Sequence, residues 1–359
     1  MIDFLIIGGG IAGTSAAARL APLGKTVLLE GESALGYHTS GRSAALYEPN
    51  YGLASTVALN LASGAFLREH DGGFLSPRGL MLVGKLDDPE GFKSACEHLD
   101  MAAIELEAAF AMVPILNPAT VGFTGYNADA LDIDTDRLLQ RYAKICRAAG
   151  GQVLTGQKVD SVARTAAGWA VTVGAEVYEA RMVINAAGAW ADQIAAMAGI
   201  APIGLTPLRR SMARIPAPGG HDVSGWPMMM DVRETWYAKP DAGKLLVSPA
   251  EEDPQVPHDA WADDMVLAEG IARYQENVTE EVTRVESSWA GLRTFAPDRN
   301  LVIGAAVEDA SFFWVAGQGG YGMQSSPAVS QLVADLIAGR ASELDVDTVA
   351  ALSPERFTA

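Results

Sequence analysis

Short apolar runs and a helical pattern alternate at the start of the chain. Residues Phe4–Ile7 form an uninterrupted apolar run, as expected for a strand buried on both faces of a parallel sheet. A glycine-rich turn follows, then an alanine- and leucine-rich segment over Thr14–Leu23 and a second apolar run over Lys25–Glu30. This order predicts a strand–helix–strand unit.

Further along, helical spacing predicts helices over 57–69, 94–112, 134–149 and 327–336. Strands are predicted over 79–84, 152–155, 158–165, 169–173, 176–179, 182–185 and 312–316. Segments 208–215, 235–239, 244–248 and 287–292 alternate as in a mostly antiparallel sheet. The parallel pattern gives way near residue 200 and returns near residue 300, which indicates one domain interleaved with another.

Composition excludes several classes of protein. The 359 residues are 49% hydrophobic and 19% charged, which is typical of a globular chain. A formal net charge of −18 opposes a nucleic-acid partner. Cys96 and Cys146 form no CxxC pattern and no histidines have ligand spacing, so no metal is predicted. Without a signal-peptide pattern or a long apolar span, we expect a cytoplasmic protein with no membrane span.

The turn after the first strand carries the pattern Gly8-x-Gly10-x-x-Gly13, and Glu30 ends the next strand. In this context the glycines permit a tight turn, close approach of a pyrophosphate and helix–strand packing, while the acid can accept hydrogen bonds from a ribose. The unit therefore predicts a dinucleotide site.

Three later features favour FAD over NAD. A Ser/Thr/Gly-rich loop follows the acidic strand over 36–43, an apolar strand enters 185–190, and a glycine cluster lies at 317–322. Such segments can hold a second phosphate and bring backbone N–H groups to a flavin ring.

Longer motifs resemble the FAD-dependent D-amino-acid oxidase/glycine oxidase family, and most closely its bacterial D-arginine dehydrogenase type. They cover nearly the whole chain and comprise Gly36–His38, Gly41–Ala45, Ser76–Arg78, Asp132–Asp136, Asn185–Trp190, Arg209–Ser211, Tyr237–Gly243, Ala290–Arg293 and Gln318–Gly322. The runs Tyr-x-Lys-Pro-Asp-Ala-Gly and Gln-Gly-Gly-Tyr-Gly are the most specific.

The resemblance implies an FAD-dependent enzyme that oxidises the Cα–N bond of D-amino acids. A hydride passes from Cα to flavin N5, and water hydrolyses the imino acid to a 2-oxo acid and ammonia. Arg293 and Arg210 match arginines that hold the substrate carboxylate, and an arginine fork suits that role. Tyr237 matches a tyrosine that grips the carboxylate, Tyr51 one that closes over the site, and Gly320 a backbone contact to the substrate amine.

No cysteine or histidine stands out as a flavin attachment point, so we expect non-covalent FAD. The expected architecture is a two-domain α/β fold, α+β overall. A Rossmann-like FAD-binding domain (1–50, 133–200 and 291–359) is expected to interleave with a substrate domain on a mostly antiparallel sheet (51–132 and 201–290). The expected cofactor residues are Gly8, Gly10, Ile11, Ala12, Gly13, Glu30, Thr39, Ser40, Gly41, Arg42, Ser43, Ala44, Ala45, Val159, Ala187, Gly188, Trp190, Arg293, Gly317, Gly319, Gly320, Tyr321, Gly322, Met323 and Gln324.

Substrate preference follows from departures from the arginine-selective pattern. Leu80 stands where those enzymes place a glutamate, and Leu46 where they place a histidine. Burying an unpaired guanidinium is costly, and Met228 and Met230 add adaptable apolar lining. We expect neutral or apolar D-amino acids, although Glu48 could recover a cationic side chain if it points inward.

Two alternatives stay open at this level. A 2-hydroxy-acid dehydrogenase would share the fold but needs a base for the alcohol proton, and no histidine is evident for that role. A flavin-binding subunit without amine chemistry is opposed by the retained Arg293, Tyr237 and Tyr51. Oxidase or dehydrogenase activity, the electron acceptor and the oligomeric state do not follow from the sequence.

Overall fold

The computed structural model describes residues 1–358 and contains two large sheets and a small one. The first large sheet has the order β10-β11-β12-β1-β2-β9, and a further strand pair, β20 and β19, continues from β12. Its strands are β1 (Ile2–Ile7), β2 (Thr26–Leu29), β9 (Gln152–Leu154), β10 (Ser161–Thr165), β11 (Gly168–Val173), β12 (Glu176–Asn185), β19 (Val302–Ala305) and β20 (Phe312–Ala316). The strands β20, β12, β1, β2 and β9 run parallel, as the early pattern predicts.

Helices cover the first sheet. Helix α1 (Ile11–Leu20) packs against α5 (Thr135–Ala148) and α8 (Gly322–Ala338), and α8 packs against α2 (Ala54–Glu69). Fully buried Ala16 and Ala17 allow α1 to approach its neighbours closely. Because α1 begins directly after the turn that follows β1, its N-terminus lies at the carboxyl end of β1.

The second large sheet is mostly antiparallel, with the order β17-β13-β16-β15-β14-β5-β7-β6 and β18 paired to β13. Its strands are β5 (Leu80–Lys85), β6 (Ala102–Ile104), β7 (Val121–Asn127), β13 (Thr206–Ile215), β14 (Met228–Asp231), β15 (Tyr237–Asp241), β16 (Lys244–Ser248), β17 (Asp253–Pro254) and β18 (Ser287–Phe295). A small sheet joins β3 (Leu46–Tyr47), β8 (Leu131–Ile133) and β4 (Leu75–Pro77). The remaining helices are α3 (Pro89–Leu99), α4 (Leu106–Met112), α6 (Ala191–Met197), α7 (Asp264–Gln275) and α9 (Val346–Leu352).

The structure corrects several of the predicted elements. The strands predicted over 176–179 and 182–185 form the single strand β12. The helix predicted over 94–112 is wrong, because Asp100 has a φ of +51° and ends α3 before β6 and α4. Helix α8, which was predicted over 327–336, starts at Gly322, before Pro327. Pro327 has no N–H for the carbonyl of Met323, and the Ser326 hydroxyl donates to that carbonyl instead at 3.0 Å.

The two large sheets meet at the loop after β2. The Thr39 hydroxyl donates to the carbonyl of Leu292 in β18 at 2.7 Å, and the Arg42 guanidinium donates to Ala260 and Ala290 carbonyls at 2.8 and 2.9 Å. The predicted FAD loop is thereby held against the substrate sheet, while the exact domain boundaries stay a prediction. Within residues 1–358, no helix combines the length and the apolar character needed to cross a bilayer.

Candidate active site

The turn between β1 and α1 is built by close backbone contacts. A Cβ on Gly13 would lie 1.9 Å from the Gly8 carbonyl oxygen, so only glycine lets the helix pack on the strand there. The Glu30 carboxylate accepts hydrogen bonds from the Gly9 N–H at 2.5 Å and the Glu32 N–H at 2.8 Å. The first strand, the turn and the acidic residue therefore form one unit.

This unit borders the first of three cavities that share lining residues. The outer cavity runs from Glu30 to Trp190 and is also lined by Gly8, Gly10, Thr39, Ser40, Val159, Ala187 and Gly188. The middle cavity shares Gly10, Thr39, Ser40 and Gly188 with it. The middle cavity adds Ile11, Ala12, Arg42, Ser43, Ala44, Arg210, Tyr237, Arg293, Gly319, Gly320, Gly322 and Met323.

The inner cavity continues from the middle one and shares Ser43, Ala44, Arg210, Tyr237, Arg293, Gly320 and Met323 with it. The residues of the predicted side-chain pocket line its far end, and they are Leu46, Glu48, Leu80, Met228 and Met230. Ala45, Tyr51 and Gln324 also line this cavity. An elongated site thus extends from the dinucleotide turn to an apolar pocket on the second sheet.

Strand register explains why these side chains meet. Arg210 of β13 lies opposite Gly291 of β18, two residues before Arg293, so both arginines share one face of the sheet. Met228 lies opposite Leu80, and Met230 opposite Tyr237, on that same face. Arg209 points to the other face, where its guanidinium lies 2.7 Å from Asp253. In the Arg209-Arg210 pair, the first arginine is the ion-pair former and the second enters the cavity.

Arg293 and Tyr237 lack protein partners in this cavity. In the part of the chain that the structure describes, no acidic side chain pairs with the Arg293 guanidinium, and the buried Tyr237 hydroxyl makes no hydrogen bond. Arg210 is only partly satisfied, with Nε donating to the Glu251 carbonyl at 2.9 Å and Nη2 lying 3.3 Å from Glu252. The arrangement offers positive charge and a hydroxyl to an anionic group.

The two arginines influence each other electrostatically. Burial and the nearby positive charge of Arg293 lower the pKa of Arg210. Burial acts in the same direction on Arg293, but Tyr237, Tyr51 and the more distant Glu252 outweigh it and raise the pKa of Arg293. The pKa of Arg293 is therefore the higher of the two.

Glu48 is the acid in the side-chain pocket, and its exposed fraction is 3%. Its carboxylate accepts hydrogen bonds from Asn127 Nδ2 at 2.6 Å and the Asn50 N–H at 3.2 Å. Burial nevertheless raises the pKa of Glu48 above its usual value. The side-chain pocket is thus apolar with one buried, hydrogen-bonded carboxyl group.

Tyr51 lies between the inner cavity and an outer vestibule lined by His98, Glu252, Arg299 and Tyr321. Its hydroxyl donates to Glu234 at 2.8 Å, and its ring centroid is 5.5 Å from that of Tyr321. Burial raises the pKa of Tyr51, and the neighbouring Glu234 carboxylate adds to the effect. The Tyr51 phenol therefore stays neutral at physiological pH.

Some of the predicted cofactor residues do not line a cavity. Gly13 packs against the Gly8 carbonyl beneath the turn. The Gly41 N–H donates to the Gly36 carbonyl at 2.7 Å, and Gly317 lies in the turn after β20. The Arg42 side chain reaches the middle cavity, but its guanidinium is occupied by three carbonyls and by Asp259 at 2.6 Å. Asp134 caps α5, whereas Asp132 forms ion pairs with Arg78 and Lys239.

Sequence reasoning missed several lining residues. Met212 and Thr294 enter the middle cavity, and Glu234 enters the inner one. Met212 could have been found from strand alternation, because it lies two residues after Arg210. No sequence pattern predicts that Glu234 lines the cavity, because its position depends on a turn in which its own φ is +53°.

Comparisons with known proteins assign the family. The model of the FAD dependent oxidoreductase family (DAO) matches residues 3–336. The chain belongs to this family. A glycine oxidase from Bacillus licheniformis is 24% identical to this member over 372 residues, 94% of this chain and 93% of that enzyme.

Two further proteins are similar to this FAD-dependent oxidoreductase. The L-2-hydroxyglutarate dehydrogenase of Escherichia coli K12 is 30% identical over 217 residues, which cover 56% of this chain and 51% of that enzyme. The solved structure of L-proline dehydrogenase from P. horikoshii has a TM-score of 0.84 at 23% identity, covering 99% of this chain and 98% of that one. This likeness confirms the mixed α/β fold.

The residues present fit FAD, the cofactor of the family. The outer cavity offers the glycine turn and Glu30 to a dinucleotide, and the middle cavity continues without a break towards Arg293. Backbone rather than side chains forms much of the wall at Gly10, Gly188, Gly319 and Gly320, which leaves room for a flat ring system. The inner cavity begins at Gly320, which lines both cavities.

Proposed function

We propose that this oxidoreductase catalyses oxidative deamination of D-amino acids with neutral or apolar side chains. The observation that carries the proposal is the unpartnered pair of Arg293 and Tyr237 on the wall shared by the middle and inner cavities. Burying the Tyr237 hydroxyl without a partner is unfavourable, and the half-buried Arg293 guanidinium has no acidic partner, so both groups suit a ligand that is anionic and accepts hydrogen bonds. An α-carboxylate meets that requirement.

The chain's own side chains then orient the substrate. Arg293 and Arg210 hold the carboxylate, Tyr237 donates to it, and the pocket of Leu46, Leu80, Met228 and Met230 takes an apolar side chain. Tyr51 covers the inner cavity and limits the access of water. When bound, FAD supplies the hydride acceptor for oxidation of the Cα–N bond, and the imino acid is hydrolysed after release.

A dedicated base is not needed for an amine. Arg210 and Arg293 disfavour a further positive charge nearby, so the substrate ammonium should lose its proton more readily than in water. The rate of substrate oxidation is therefore expected to rise with pH.

A 2-hydroxy-acid substrate is the second candidate, favoured by the similarity to L-2-hydroxyglutarate dehydrogenase. An alcohol needs a base for its proton. Among residues 1–358, no histidine lines the middle or inner cavity, and His98 lies in the outer vestibule. This arrangement favours the amine.

Preference for the D-configuration rests on the resemblance of the Tyr237–Gly243 and Gln318–Gly322 segments to D-arginine dehydrogenases. The test is anaerobic addition of single D- and L-amino acids and 2-hydroxy acids to the yellow protein, with visible absorbance as readout. Bleaching by apolar D-amino acids supports the proposal. Bleaching by L-amino acids or hydroxy acids alone contradicts it.

We further propose that FAD is held without a covalent bond. His38, the histidine that lines the outer cavity, lies with Nε2 3.0 Å from the Glu32 carboxylate, and its ring centroid is 4.8 Å from that of Trp190. Acid denaturation should release all of the flavin into the supernatant. Flavin that stays with the precipitated chain would show a covalent link.

A further inference from the structure

Lys239 is a buried cation for which the proposed chemistry has no use. Its exposed fraction is 8%, and it lies in β15 two residues after Tyr237. Residues i and i+2 of a strand share a face and lie about 7 Å apart. Lys239 therefore points to the same side of the sheet as the tyrosine that faces the cavity.

The Lys239 ammonium binds the loop that forms the wall between the middle and inner cavities. It donates hydrogen bonds to the Ala44 carbonyl and, at 3.1 Å, to the Ala45 carbonyl. Ala44 lines both cavities, and Ala45 lines the inner one. One side chain thus ties the wall of the cofactor cavity to the strand that carries Tyr237.

An acid fixes the ammonium in this place. Asp132 Oδ1 lies 2.7 Å from Lys239 Nζ, while Asp132 Oδ2 accepts a hydrogen bond from Arg78 Nε at 2.7 Å. Asp132 lies opposite Leu46 in the pairing of β3 with β8, so the same loop is held from a second side. A charged hydrogen bond from a buried, paired lysine resists displacement more than a neutral one does.

We propose that Lys239 is a positioning residue, which fixes the separation between Tyr237 and the Ala44–Leu46 wall and so aligns a carboxylate-bound substrate with FAD. Misplacement of reacting groups by about 1 Å can lower a rate by about a hundredfold. Loss of Lys239 should therefore affect FAD binding and the rate of flavin reduction more than it affects carboxylate affinity.

The test compares Lys239→Met with Lys244→Met. Lys244 lies on the neighbouring strand β16, where its ammonium pairs with Glu286 at 3.1 Å on the surface. Lys239→Met should raise the dissociation constant of FAD about tenfold or more and lower the limiting rate of anaerobic flavin reduction by a similar factor. The substrate dissociation constant should change less, Lys239→Arg should restore part of the rate, and Lys244→Met should match the wild type.

Several outcomes would overturn the proposal. One is a lower melting temperature in Lys239→Met with FAD affinity, flavin spectrum and reduction rate equal to those of Lys244→Met, since that describes a purely structural lysine. If Lys239→Met does not fold, Lys239→Gln retains N–H donors for the two carbonyls but no charge, and it should show smaller losses in the same direction. Wild-type values in that variant would also overturn the proposal.

The reduction rate rests on the proposed function, since it requires a D-amino acid that reduces the flavin, whereas FAD affinity and the flavin spectrum do not. If D-amino acids fail to reduce the wild-type protein, the proposed function fails while the role of Lys239 is still decided by these two measurements.

Discussion

Gly320 lies so close to Arg293 that a side chain at position 320 would displace the Arg293 guanidinium. A Cβ on Gly320 would lie 2.9 Å from Arg293 Nη1 and 3.2 Å from Cζ. The absence of a side chain at 320 thus determines where the guanidinium of Arg293 lies, and position 320 helps to shape the proposed carboxylate site.

Gly320→Ala should displace the Arg293 guanidinium and raise KM about tenfold, with little loss of stability because a flexible side-chain end can move. Arg293→Met should raise KM by about a hundredfold or more, because it removes the charge itself. In the double variant the alanine should add almost nothing to the effect of Arg293→Met. Full additivity of the two changes in steady-state kinetics would show that Gly320 acts independently of Arg293.

Tyr237→Phe should weaken substrate binding without weakening the fold. The Tyr237 hydroxyl is buried without a protein partner, so its removal costs no protein hydrogen bond, whereas a bound carboxylate loses a donor. We expect KM to rise about tenfold to a hundredfold with an unchanged or higher melting temperature.

Tyr47→Phe is the matched control, because the buried Tyr47 hydroxyl donates to the Asn60 carbonyl at 3.1 Å. It should lower stability by about 1 kcal/mol and leave KM unchanged. If Tyr237→Phe instead lost stability and kept its KM, the hydroxyl would serve the fold rather than a ligand.

Glu48→Gln should change how stability depends on pH. Burial raises the folded-state pKa of Glu48 above its ordinary value of 4.5, so its favourable contribution is complete below that value and is lost as pH rises through the folded pKa. Glutamine does not titrate. The melting temperature of Glu48→Gln relative to wild type should therefore increase from about pH 4.5 towards pH 8. A difference that stays constant over this range would contradict the raised pKa.

Gly13→Ala should abolish tight FAD binding. The added Cβ would lie 1.9 Å from the Gly8 carbonyl, and only backbone movement of the turn could relieve that clash. We expect the dissociation constant of FAD to rise about a hundredfold or more, measured by flavin fluorescence on the apoprotein. Gly225→Ala is the control, since a Cβ there meets nothing within 4 Å. Equal FAD affinity in the two variants would show that the α1 turn does not hold the cofactor.

Local pattern predicted the first sheet better than the segments that depend on distant contacts. The strands β1, β2 and β20 follow from apolar runs, because a strand buried on both faces must be apolar throughout, whereas the two strands predicted over 176–179 and 182–185 form the single strand β12. The region 94–112 has helical composition on both sides of Asp100, but the left-handed backbone at that residue ends α3, and the strand β6 follows before α4 begins. Short edge strands such as β6 lack a pattern of their own and form by pairing with β7.

By itself, the sequence determined the family and the dinucleotide turn, because glycine spacing, strand periodicity and long motifs are local properties of the chain. Only the tertiary structure decided which arginine of the Arg209-Arg210 pair enters the cavity, since that depends on the register between β13 and β18. It likewise left Tyr237 and Arg293 without protein partners and brought Lys239 to the carbonyls of Ala44 and Ala45. These relationships join residues far apart along the chain, and packing of the two sheets against each other sets them.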